Sequence, residues 1–334
     1  MILRVLKSNQ RSNLYLFPVI ALLLWLKSLI YPFSYDFYPG ENSNILFSPL
    51  YKLVENFEFL QVMISLVFVI LLASVVQILN EKYTFIRVRT KLPASLFVII
   101  VAGFTQLHTF HPVYPAALFL MIALFNLFET FEKLKPYSNI FNAGFFLGVG
   151  TLFYLNLFIL LPAFLIGVVL LSRETSWRGW IIILIGFAVP AFFASSYAIL
   201  TEHTKDIVII LEKNIFTPVN HFRSNIPLYV LLSVLVLLTV AASFKIIQQY
   251  DTKKVSTRKY FSIFLVLFIS AMISFMFVPV TSQEMLVIMA IPVTYLITNL
   301  FVFIKNKFWS EFLFYLLIAI VILMQFSEKF ILNG

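Results

Sequence analysis

The sequence predicts an all-α, polytopic integral membrane protein, and three observations carry that expectation. Of its 334 residues, 61% are hydrophobic and only 12% are charged, against roughly 45–50% and 25% in soluble domains. Apolar runs long enough to form membrane helices recur along the whole chain, each near the roughly 20 helical residues that cross a bilayer core. Lys and Arg gather in alternate connections between those runs, the bias that orients membrane helices. A soluble fold of this composition would leave more apolar surface than one core buries. Lipid accepts that surface, provided the backbone is satisfied within helices.

The first run, residues 14–33, follows a basic segment holding Arg4, Lys7 and Arg11. No small-x-small cleavage site follows it, only Tyr31-Pro32-Phe33-Ser34-Tyr35-Asp36, so the run reads as a retained helix rather than a signal peptide. Further helices are expected at 59–79, 93–110, 113–129, 139–155, 157–172, 177–199, 226–244, 261–280, 285–304 and 309–326, about eleven in all. They form a single transmembrane domain over 1–334. Fusing 139–155 with 157–172 would invert the charge bias from Arg173 onward, so the two are read as separate. With the N-terminus in the cytoplasm, most of the 24 Lys and Arg fall inside and the C-terminus lies outside.

That orientation sends Asp36, Glu41, Glu284 and all four histidines (His108, His111, His203, His221) to the outer side. Two outer segments look structured. In 34–58, Ser48-Pro49 fits a helix start, and Leu50, Leu53, Val54 and Phe57 repeat at i, i+3, i+4 and i+7. Residues 49–57 are therefore expected as a short interfacial helix. In 201–225, Ile207 to Phe216 is a second amphipathic stretch. Gly144 and Gly148 make a small-xxx-small step suited to close helix packing.

Cysteine is absent, which excludes disulfides, thiolate metal sites and a cysteine nucleophile. The net charge of +9 is spread over short loops rather than one basic patch, so no nucleic-acid partner is expected. No glycine-rich phosphate loop, nucleophile elbow or dinucleotide fingerprint appears, and no cofactor is expected. His108 and His111 lie three apart near Gln106, but without a third ligand or an HExxH spacing no metal is expected. They read as a hydrogen-bonded pair at a helix end, or as groups for substrate contact or proton transfer. Lys27 lies inside the first run, one to two turns from its outer end, where it can snorkel to the interface or serve a function.

Two stretches resemble polytopic glycosyltransferases of the C superfamily, which use polyprenyl- or dolichyl-phosphate sugars. One is Asn142-Ala143-Gly144-Phe145-Phe146-Leu147-Gly148-Val149-Gly150, continuing through Leu161-Pro162-Ala163 to Arg173 and Arg178. The other is Pro279-Val280-Thr281-Ser282-Gln283-Glu284-Met285-Leu286 with Pro292. It resembles the His-Lys-Glu-x-Arg-Phe loop of the mannosyltransferase branch, with the glutamate and later proline present and the basic residues absent. As a whole the chain resembles an uncharacterised family of multi-spanning inner-membrane proteins of Gram-negative bacteria.

The resemblance implies a membrane-embedded glycosyltransferase acting on a lipid-phosphate-linked sugar at the outer leaflet of the inner membrane. It places a catalytic carboxylate in the first outer loop, where Asp36 stands. Glu284 and His108 would orient the acceptor. Arg223, Lys27 and His111 would contact substrate, with a cation holding the phosphate. The expected partners are membrane lipid, a polyprenyl-phosphate sugar and a possible membrane-protein partner. Two other readings remain: a non-enzymatic subunit scaffolding an envelope complex, and a transporter.

Overall fold

Helices dominate because the apolar runs must satisfy their own backbone. A computed structural model describes residues 2–8, 15–37, 40–173, 177–202, 204–216, 226–249, 251, 253–277 and 284–331. Among the described residues there are fourteen α-helices and no strand. They are α1 (Ile2–Lys7), α2 (Leu16–Ile30), α3 (Phe47–Lys52), α4 (Glu58–Tyr83), α5 (Leu92–Ala102), α6 (Val113–Phe128), α7 (Tyr137–Phe153), α8 (Leu161–Leu171), α9 (Trp177–Leu200), α10 (Thr204–Phe216), α11 (Ile226–Gln248), α12 (Val255–Phe277), α13 (Met285–Phe303) and α14 (Lys307–Ile331).

Six of these, α4, α9, α11, α12, α13 and α14, are long and apolar enough to cross a membrane. The expectation of about eleven spans is corrected to six long helices accompanied by shorter apolar ones. Hydropathy counts apolar residues whether they are helical or lie in buried connections. Residues 93–110 illustrate this: α5 stops at Ala102 and a 3-10 turn follows at Thr105–Leu107, yet the connecting residues remain largely buried. Tyr154 is extended between α7 and the 3-10 turn Leu155–Leu160, which separates the two segments expected at 139–155 and 157–172.

Helix α13 is the axis of the bundle. Met285 through Phe301 are all buried, and α5, α6, α11 and α12 pack around it. Tyr295 donates to the carbonyl of Val76 at 2.9 Å and stacks on Phe264. Helices α7 and α9 meet through glycines. A Cβ at Gly144 would strike the backbone of Ile183, one at Gly148 that of Phe187, and one at Gly186 that of Phe141. The small-xxx-small step thus brings two backbones together.

The expected helix at 49–57 is displaced. It begins at Phe47, ends at Lys52 and has no side-chain cap from Ser48. Phe47, Tyr51 and Val54 are the buried positions, packed with Phe110, while Leu50, Leu53 and Phe57 are exposed. Aromatic contact with the bundle sets this register, rather than the aliphatic stripe. The second amphipathic stretch lies within the helix α10.

Contacts sort the connections into two ends. At one, Lys82 and Lys133 pair with Glu129, and Lys253 bonds Asn299 near the end of α13. At the other, Glu41, His111 and Glu284 converge, Asn214 reaches Gly40, and Lys27 donates to the carbonyl of Gln325.

Candidate functional site

The first connection, between α2 and α3, enters the bundle through alternating side chains. Tyr35 is buried, Asp36 exposed and Phe37 half-buried. The rings of Tyr35 and Phe37 lie 4.8 and 5.6 Å from the His111 ring. A few residues on, Gly40 adopts a φ of +101°, and a Cβ there would meet the Lys213 Cβ at 2.7 Å. That left-handed turn favours glycine. Asn214 of α10 fixes it by donating to the Gly40 carbonyl at 2.9 Å. The turn delivers Glu41 into the interior, where it is 5% exposed.

There Glu41 meets His111, from the connection between α5 and α6, and Glu284, at the N-terminal end of α13. One ligand-capable atom from each lies within 4.8 Å of the others, and all three residues are buried. His111 Nε2 stands 2.9 Å from Glu41 Oε1. Tyr154 donates to Glu284 at 3.3 Å, and Asn156 to the Tyr154 hydroxyl at 3.4 Å. Burial pushes the Glu41 carboxyl up to about 8 and the His111 imidazole down to about 4, because each charged form loses water.

Two carboxylates and an imidazole have the composition of a divalent-metal site. The hydrogen bonding points elsewhere. The Val113 N–H donates to His111 Nδ1 at 3.2 Å, so the neutral ring carries its proton on Nε2, the nitrogen facing Glu41. A metal at Nε2 would move that proton to Nδ1, against the Val113 N–H. Metal-bound histidines instead donate their second nitrogen outward. With Nδ1 taken by that N–H, a proton on Nε2 fits this ring better than a metal ion does.

His108 stands apart from His111. Its Nδ1 lies 3.0 Å from the Ser28 hydroxyl, its Nε2 lies 3.1 Å from the Ala102 carbonyl, and its ring stacks on Trp25 at 3.8 Å. Ser65 accepts from Trp25 and donates to the His108 carbonyl at 2.6 Å. Both ring nitrogens are thus engaged by the protein, and His108 ties α2 to the end of α5. Lys27, half-buried in the last turn of α2, donates to Gln325 at 2.7 Å. Gln325 in turn donates to Ala102.

Of the site residues expected from sequence, His111 and Glu284 come together. His108 packs against α2, which carries Lys27, as a second group, and Asp36 is exposed between two rings that pack on His111. Arg223 lies outside the described residues. Charge bias places Glu41 on the outer side without a role; Gly40 before it, opening the polar turn Gly40-Glu41-Asn42-Ser43, is the one local signal of a special backbone there.

No curated protein and no solved structure matches the chain. The family described as a family of unknown function (DUF6427) matches residues 44–332, a span holding His108, His111 and Glu284, and the chain belongs to that family.

Proposed function

We propose that this multi-pass membrane protein transfers a sugar from a lipid-phosphate donor, working at the end that holds Glu41, His111 and Glu284. That end faces outward, because the opposite end carries the dense Lys and Arg of the cytoplasmic side. The observation that carries the reading is the placement of Asp36. Its carboxylate is exposed at the bundle end, while its neighbours Tyr35 and Phe37 anchor it on the buried acid–imidazole cluster.

In the reaction, Asp36 accepts the proton of an acceptor hydroxyl as that oxygen bonds the anomeric carbon. The bond from that carbon to the phosphate oxygen breaks, and the lipid phosphate leaves with the electron pair. Lys27 is a described cation at this end suited to the leaving phosphate, and the cluster keeps the first connection docked.

The test is a panel of polyprenyl-phosphate sugars supplied to the reconstituted full-length protein, with release of polyprenyl phosphate as the readout. Turnover of one donor, lost in Asp36→Asn, is expected. No turnover of any donor, or turnover unchanged in Asp36→Asn, overturns the reading.

A second reading, a non-enzymatic subunit of an envelope complex, draws on α9. That helix is exposed along most of its length, including Phe192, Phe193, Tyr197 and Leu200, a face that takes a partner helix as readily as lipid. Stoichiometric co-purification of a second membrane protein, with no sugar turnover, would favour it.

A further inference from the structure

At the end of the bundle opposite the acid–imidazole cluster, the connection after α4 and the start of α12 enclose a cavity of about 270 Å³. Thr84, Phe85, Arg87, Lys253, Lys254 and Thr257 line it. The lining supplies three cationic side chains, two hydroxyls and no carboxylate. The volume is about nine times the ~30 Å³ a water occupies in the liquid, enough for a phosphoryl group and the atoms esterified to it.

We propose that this cavity binds a phosphoester anion, held by Arg87, Lys253 and Lys254 with hydroxyl contacts from Thr84 and Thr257.

Three neighbouring cations at this end are matched by acids. Lys82 and Lys133 share Glu129 at 2.5 and 3.0 Å, and Lys91 pairs with Glu81. Among the described residues, no ion pair of that kind involves Arg87, Lys253 or Lys254. Lys253 is held in place by neutral partners. Its ammonium donates to Asn299 Oδ1 at 2.7 Å and lies over the rings of Phe261 and Phe303 at 4.8 and 5.2 Å.

Asn299 is fully buried, and its Nδ2 has no hydrogen-bond partner. Turning the amide over would set that NH2 against the ammonium, so the orientation is fixed by Lys253. The protein therefore spends a buried asparagine to position a lysine that no acid among the described residues neutralises. Burial lowers the Lys253 pKa to about 8, and an anion in the cavity offsets that loss of hydration. Arg87 adds the forked donor geometry that suits phosphate.

Two sources carry this chemistry: the headgroup of an anionic phospholipid in the adjoining leaflet, and a soluble phosphoester. The inference is independent of the sugar-transfer reading, since the cavity and Asp36 lie at opposite ends of the bundle.

Melting of the full-length protein in detergent separates the sources. The added probes are phosphatidylglycerol, glycerol 3-phosphate, phosphatidylcholine and chloride at matched ionic strength. A rise in melting temperature with phosphatidylglycerol alone assigns a lipid headgroup; a rise with glycerol 3-phosphate as well assigns a free phosphoester. Arg87→Gln combined with Lys254→Gln changes two exposed side chains and should weaken the apparent affinity at least tenfold. Lys305→Gln combined with Lys307→Gln, at the same end outside the cavity, should leave it unchanged. The proposal is overturned if neither phosphoester raises melting above the phosphatidylcholine and chloride controls. It is equally overturned if the cavity variant binds as tightly as wild type, or if the control variant loses as much.

Discussion

His111 Nε2 lies 2.9 Å from Glu41 Oε1, although the two residues come from different connections and both are buried. The Val113 N–H on Nδ1 directs the imidazole proton toward Glu41. Folding therefore depends on protons at this point.

That dependence has a sign. Glu41 titrates near 8 in the folded chain against an ordinary 4.5. Between those values the folded state holds a proton the unfolded state has released, so stability falls as pH rises. His111 titrates near 4 against 6.5. Over that window the unfolded state holds the extra proton, and stability rises with pH. The two effects oppose each other from 4.5 to 6.5, and of the pair only Glu41 acts from 6.5 to 8. Melting should fall across this upper window, by at most about 1.4 kcal/mol per pH unit. Glu41→Gln should flatten it. A wild-type curve that is level or rising from 6.5 to 8 contradicts the assignment.

Gly40 controls the entry of Glu41. Alanine there places a Cβ at a φ of +101° and 2.7 Å from the Lys213 Cβ. Gly40→Ala should cost about 1–3 kcal/mol and remove the fall in stability between pH 6.5 and 8, because Glu41 no longer seats. Thermal unfolding across that range measures both effects.

The α7–α9 crossing should separate glycines by what they touch. Gly144→Ala meets the Ile183 backbone, which cannot yield without moving a helix, whereas Gly179→Ala meets a Val168 methyl at 3.0 Å. Gly144→Ala should lower stability by about 1–3 kcal/mol, and Gly179→Ala by clearly less. Equal losses in denaturant or thermal melts would show that backbone contact is not the cause.

Helices were legible in the sequence wherever an apolar run coincided with a helix, as at α4, α9 and α13. They were misjudged where buried connections are apolar too. Residues 103–110 extend the hydropathy of α5 although Gly103 and the turn at Thr105–Leu107 end the helix. In α3, Phe47 and Tyr51 decide the register by packing against Phe110, a contact remote in sequence. Charge bias collected His111, Glu41 and Glu284 at one end. It carries no information on which of them touch, because that depends on the turn at Gly40 and the position of α13. The three-residue spacing of His108 and His111 suggested a pair, but the non-helical connection between them separates their partners.

The central claim is that Asp36 and the acid–imidazole cluster face outward while the Lys253 end faces the cytoplasm. Because the chain has no cysteine, single-cysteine labelling tests this directly. A membrane-impermeant maleimide applied to intact spheroplasts should label Asp36→Cys, and should label Lys254→Cys only after permeabilisation. Labelling of Lys254→Cys in intact spheroplasts, with Asp36→Cys protected until permeabilisation, would contradict the account.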